Sequence, residues 1–113
     1  MATEVRTKTG KFVVSATASG GTINASINSE SLLNPGLGGH ETASYADVTM
    51  YLQKYHNGVG WRTHSQKSGY VHHTSPMNRT FPNLGIGTWQ VMADCVNGNV
   101  RFTLTSPTRY TSK

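Results

Sequence analysis

Apolar residues along this chain recur at every second position, in short segments broken by glycine, asparagine and proline. In Lys11–Ala18, Phe12, Val14, Ala16 and Ala18 take one side, and Val13, Ser15 and Thr17 the other. Ser19-Gly20-Gly21 is a turn signal, and Ile23, Ala25 and Ile27 then resume the alternation. These two segments predict a hairpin, or one long strand with a glycine bulge. From Ala46 to Tyr55, Ala46, Val48, Met50 and Leu52 point one way. Tyr45, Asp47, Thr49, Tyr51, Gln53 and Tyr55 point the other. A loop over His56–Gly60 leads into a strand at Trp61–Gln66. Lys67-Ser68-Gly69 predicts a further turn, and a shorter strand follows over Tyr70–Ser75 until Pro76 stops it. Trp89, Val91, Ala93 and Cys95 alternate with Gln90, Met92 and Asp94. Asn97-Gly98 predicts a type I′ turn, and Val100, Phe102 and Leu104 close the pattern before Pro107.

About seven strands joined by short turns predict an all-β fold, a single antiparallel β-sandwich or a barrel, with the sandwich preferred. At 113 residues the chain suits one domain spanning 1–113. The ends, 1–10 and 108–113, are polar and are expected to be flexible tails. Asn28–Ser44 has no clean period and reads as a long loop in which Leu32 and Leu33 tuck a short helical turn onto the core. Lys11–Ala18 and Val100–Thr105 are the candidate sheet edges.

Composition agrees with this pattern. Only 35% of residues are hydrophobic and 13% charged, while Ser, Thr, Asn and Gly supply 46 residues. Thr favours strands, and Gly and Asn favour turns. The net charge of +5 permits an anionic partner. The basic residues are scattered, however, and no run of them resembles a nucleic-acid arm. A single cysteine, Cys95, excludes an intrachain disulfide. No apolar stretch is long enough to span a membrane. Met1–Lys11 is polar and carries no signal peptide, so the chain is expected to be either not exported by that route or a mature form.

Two segments carry a resemblance. Ala46–Tyr55, with Asn57-Gly58 and Trp61, resembles a strand-turn-strand of small secreted β-sandwich proteins from Gram-positive bacteria. Leu84–Val91, with Trp89 after a glycine-bearing corner and then Cys95 and Asn97-Gly98, resembles the penultimate strand of immunoglobulin-like and fibronectin-like modules. The resemblance implies an immunoglobulin-like extracellular module and transfers no functional residue. The chain departs from antibody-type domains in lacking paired cysteines.

Candidate chemistry is sparse. His56, His64, His72 and His73 lie close in sequence. If Lys67–Gly69 turns, His64 and His72 face each other across two strands, near enough to share a metal ion. A third ligand would have to come from His40, His56 or elsewhere. The alternative is a solvent-facing strand rich in histidine, or a pH-responsive cluster. Tyr45, Tyr51 and Tyr55 share a strand face with Asp47, Thr49 and Gln53. That mixture suits a platform for sugar rings or a protein partner, with Trp61 as companion if the loop register allows it. The competing reading is ordinary cross-strand packing. Cys95 has core parity and reads as a small hydrophobe. Five acidic residues offer no carboxylate pair flanking a cleft, and Asp47 and Asp94 fall on outer faces. No phosphate loop or nucleophile elbow is present, no cofactor is implied, and the chain is not expected to be an enzyme. Asn24-Ala25-Ser26 and Asn78-Arg79-Thr80 match the glycosylation sequon.

The expectation is a non-enzymatic binding or adhesion module, extracellular or on a bacterial cell surface. It would recognise a glycan, a cell-wall polymer or a protein through the aromatic-polar face or the 28–44 loop. The alternative is a structural protein, such as a phage virion decoration or tail component, that self-associates by strand addition. Nucleic acid is a weaker third partner, and an enzyme comes last.

Overall fold

The computed structural model describes residues 3–7, 10–31 and 45–112. Among them are nine strands: β1 (Glu4–Arg6), β2 (Gly10–Ser19), β3 (Thr22–Ser31), β4 (Tyr45–His56), β5 (Gly60–His72), β6 (Met77–Phe81), β7 (Ile86–Asn97), β8 (Val100–Thr105) and β9 (Arg109–Ser112). They form two antiparallel sheets. The first has the order β1-β2-β3-β6. The second has the order β5-β4-β7-β8, with β9 also on β7. The sheets pack face to face over one core. Phe12, Val14, Ile23, Ile27, Met77 and Phe81 come from the first sheet, and Val48, Met50, Leu52, Trp89, Val91 and Leu104 from the second. Each is an alternating position of its strand, which is how a two-residue period builds a sandwich. Among the described residues there is no helix, hence none long and apolar enough to cross a membrane.

The first two long strands form a hairpin. Ser19 pairs with Thr22, and Gly20 takes φ +59° at the first central position of a two-residue turn, the place glycine fills in a type II′ turn. The last hairpin differs by one residue from the expected Asn97-Gly98 turn. Asn97 pairs with Val100, and Gly98 (φ +58°) and Asn99 occupy the centre. Glycine takes the first central position here as well, so type II′ geometry displaces type I′.

Two larger differences concern β5 and the chain ends. Lys67-Ser68-Gly69 does not turn: β5 runs unbroken from Gly60 to His72 along β4. Opposite Met50 and Val48, Lys67 and Gly69 occupy inward positions at the sheet edge. Lys67 reaches the Thr80 carbonyl at 2.8 Å and lies 5.3 Å from the Phe81 ring. A Cβ at Gly69 would collide with the Arg79 guanidinium and the Met77 methyl, so glycine makes room for the facing sheet. A lysine and a glycine that read as a turn are thus an edge-strand device. The expected tails also carry structure. Glu4–Arg6 pairs with β2. Arg109–Ser112 pairs with β7 and buries Thr111. Of the expected 28–44 loop, Asn28–Ser31 belongs to β3, and 32–44 lies outside the described residues.

Basic side chains close the seams between the sheets. Arg79 on β6 donates to the Ser68 carbonyl on β5 at 3.1 Å, while Lys67 on β5 donates to Thr80 on β6. On the other side, Arg109 Nε donates to the Ala16 carbonyl of β2 at 2.7 Å. Part of the excess of basic residues therefore satisfies carbonyls at sheet edges, which would otherwise invite a foreign strand.

Candidate functional site

The outward positions of the second sheet form the most chemically varied surface. On β4 they are Tyr45, Asp47, Thr49, Tyr51, Gln53 and Tyr55. Across them on β5 stand His72, Tyr70, Ser68, Gln66, Thr63 and Trp61. On β7 the partners Val96, Asp94, Met92 and Gln90 continue the rows. The three-residue turn Asn57–Val59 sets Tyr55 directly opposite Trp61, so Trp61 joins the tyrosine face. Their rings meet edge to face with centroids 5.4 Å apart. All five side chains singled out for binding, Tyr45, Tyr51, Gln53, Tyr55 and Trp61, thus lie on one surface.

Register survives to the far end only because β5 carries a bulge. Leu52 pairs with Ser65 and Gln53 with Thr63, leaving His64 as the extra residue. The bulge sets His64 edge-on against the buried Trp89 ring, 5.1 Å between centroids. His64 and His72 therefore sit eight positions apart on one strand, roughly 25 Å at the usual rise per residue. They do not face each other, and the shared metal site expected from a turn at Lys67–Gly69 is not assembled. Among the described residues no three His, Cys, Asp or Glu side chains gather as a ligand set. His40 lies outside those residues, and His56 is exposed at the β4–β5 turn.

Two aromatics that sequence reasoning missed belong to the surface. Tyr70 is half exposed and stacks with Tyr45 at 6.1 Å and 26°. It also stacks with His72 at 6.5 Å, and His72 lies against His73 at 4.2 Å. Tyr110 on β9 pairs with Thr88 and is 70% exposed. The alternation within Tyr70-Val71-His72 was available as a signal, but the expected turn before it obscured the parity. Tyr110 lay in an expected tail.

Comparison with protein-family models, with curated proteins and with solved structures yields no match. The site must be read from its own chemistry.

That chemistry is polar and poor in cations. Arg101 is the only Lys or Arg among the described outward positions of this sheet, and its Nε lies 3.5 Å from Asp94. Gln90 Nε2 donates to Gln53 Oε1 at 2.7 Å and anchors the centre of the surface. Gln90 is almost fully buried, and its Oε1 has no partner among the described residues. Cys95 faces the core, and burial followed by the nearby Asp94 charge pushes its thiol up to about 12. A thiol so placed is neither exposed nor ionised at neutral pH, as a nucleophile would require.

Proposed function

We propose that this protein is a non-enzymatic binding module that recognises a glycan through the outer face of its second sheet. The observation that carries this reading is the row of Tyr45, Tyr70, Tyr51, Tyr55 and Trp61 on a single surface. Thr49, Ser68, Gln66 and Gln53 stand between the rings. Tyrosine and tryptophan offer apolar area to sugar faces at low entropic cost, and neighbouring hydroxyl and amide groups bond sugar hydroxyls. Scarce cations on this face argue against nucleic acid, whose affinity comes largely from phosphate contacts. Lys67, Arg79 and Arg109 cap carbonyls on β6, β5 and β2, which disfavours a virion component that assembles by strand addition at those edges, while β8 stands as an unpaired edge among the described strands.

The strand order supports an immunoglobulin-like or fibronectin-like lineage for the module. With β2 to β8 taken as seven strands, β2-β3-β6 correspond to strands A, B and E, and β5-β4-β7-β8 to C′, C, F and G. β1 and β9 are additions. In that scheme β7 is the penultimate strand, which is where the sequence resemblance falls. An extracellular or cell-surface setting follows from the proposed ligand.

The test is depletion from solution by insoluble chitin, cellulose and peptidoglycan sacculi. At least one polymer retains the protein, and the Tyr55→Ala/Trp61→Ala variant loses that retention while keeping its melting temperature within a few degrees. Retention unchanged in the double variant, or by none of the three polymers, contradicts the reading.

A further inference from the structure

On the glycan-binding reading, we propose that Asp47, Tyr45 and Tyr70 form an ammonium subsite, so that the favoured ligand is an amino sugar with a free, positively charged amine.

The inference begins with an unpaired charge. Four acidic residues are described. Glu4 lies near Arg6 and Lys11, Glu30 near Lys11, and Asp94 near Arg101. Asp47 has no ion pair among the described residues, in a chain whose Lys and Arg outnumber its acids ten to five. Its cross-strand neighbours are Tyr70 on β5 and Val96 on β7, neither of them charged. Tyr45 precedes it by two positions on the same face.

The second observation is the pair of rings around it. Tyr45 is 38% and Tyr70 50% exposed, and their planes lie within 26° of parallel. Tyr70 is directly opposite Asp47, which places the two Cβ atoms about 5 Å apart. A carboxylate beside two exposed, electron-rich ring faces is the arrangement that attracts an organic cation. A neutral sugar would use the rings but gain little from the charge, and an anionic one would be repelled. The other end of the surface, Tyr55 and Trp61, has no carboxylate opposite either ring. The two ends therefore differ in function: stacking at one, charge recognition at the other.

The test compares two oligomers of one length by calorimetric titration at pH 6: the glucosamine tetramer, whose free amines are largely protonated there, and its N-acetylated counterpart. Wild type binds the cationic oligomer about tenfold more tightly, and the preference shrinks as salt is raised. Asp47→Asn, which keeps the size of the side chain, weakens the cationic oligomer and brings the two affinities within about twofold. Equal affinities in wild type, or a preference that survives Asp47→Asn, overturn the subsite. If neither oligomer binds while an insoluble polymer still retains the protein through Tyr55 and Trp61, the subsite falls and the glycan reading stands. If that retention fails too, both fall.

Discussion

The Trp89 indole Nε1 donates to the Thr111 hydroxyl at 2.7 Å, with both side chains buried. Thr111 in turn donates to the Gly85 carbonyl. The indole N–H of the largest core side chain is thus satisfied by a residue of β9, the strand read as a tail. Thr111→Val keeps the shape and removes both bonds, leaving a buried N–H without a partner. The expected loss is about 1–3 kcal/mol in urea unfolding. Truncation before Arg109 costs more, because it also frees the Ala16 carbonyl and a strip of β7.

The seam between β5 and β6 makes a prediction about coupling. Gly69→Ala forces Arg79 away from the Ser68 carbonyl, because the new methyl occupies the guanidinium's place. Arg79→Ala removes the same bond directly. Each variant is expected to lose about 1 kcal/mol. The double variant should lose less than the sum, since both act on one contact. Light scattering should also show more self-association in both, because an edge carbonyl has been uncovered. Full additivity in unfolding experiments would mean that the two residues act separately.

Much of the architecture was legible because two-residue alternation survives wherever an inward position can be filled by an apolar side chain. The faces of β2, β3, β4, β7 and β8 follow directly from Phe12, Ile23, Met50, Trp89 and Leu104. It fails at β5, whose inward Lys67 and Gly69 serve the facing sheet through contacts no local pattern records. It fails again at β9, where tertiary partners order a polar segment that would otherwise fray. The tyrosine face of β4 was readable, whereas the side taken by Trp61 depended on the length of one turn. Tyr70 and Tyr110 were lost with the strands that carry them.

Cys95 should resist alkylation by iodoacetamide at pH 8 in the native state, and react fully once unfolded. Burial raises its thiol from 9.0 to about 12. The unfolded chain then gives up this proton first as pH rises. The contribution of Cys95 to stability is complete below pH 9 and declines between 9 and about 12. Cys95→Ala should flatten that part of the stability profile while losing some packing.

Gln90 offers a contrast between stability and recognition. Its Oε1 is buried without a partner among the described residues, an arrangement that costs stability. Gln90→Met removes that unpaired oxygen and the bond to Gln53. Thermal denaturation should show a change within about 1 kcal/mol, in the stabilising direction if the orphaned oxygen dominates. Gln53→Ala leaves Gln90 buried with neither amide atom paired, and should destabilise by about 1–3 kcal/mol.

The central claim is that the outer face of the second sheet is the ligand surface. Its most direct test is a ¹⁵N–¹H titration of the labelled protein with N-acetylchitotetraose, cellotetraose and a soluble peptidoglycan fragment. The account predicts shifts confined to Tyr45–Tyr55, Trp61–Tyr70 and Gln90–Val96, including the Trp61 indole N–H. Shifts centred instead on the opposite face, at Ser15, Thr17, Asn24 and Thr80, or none with any of the three, would contradict it.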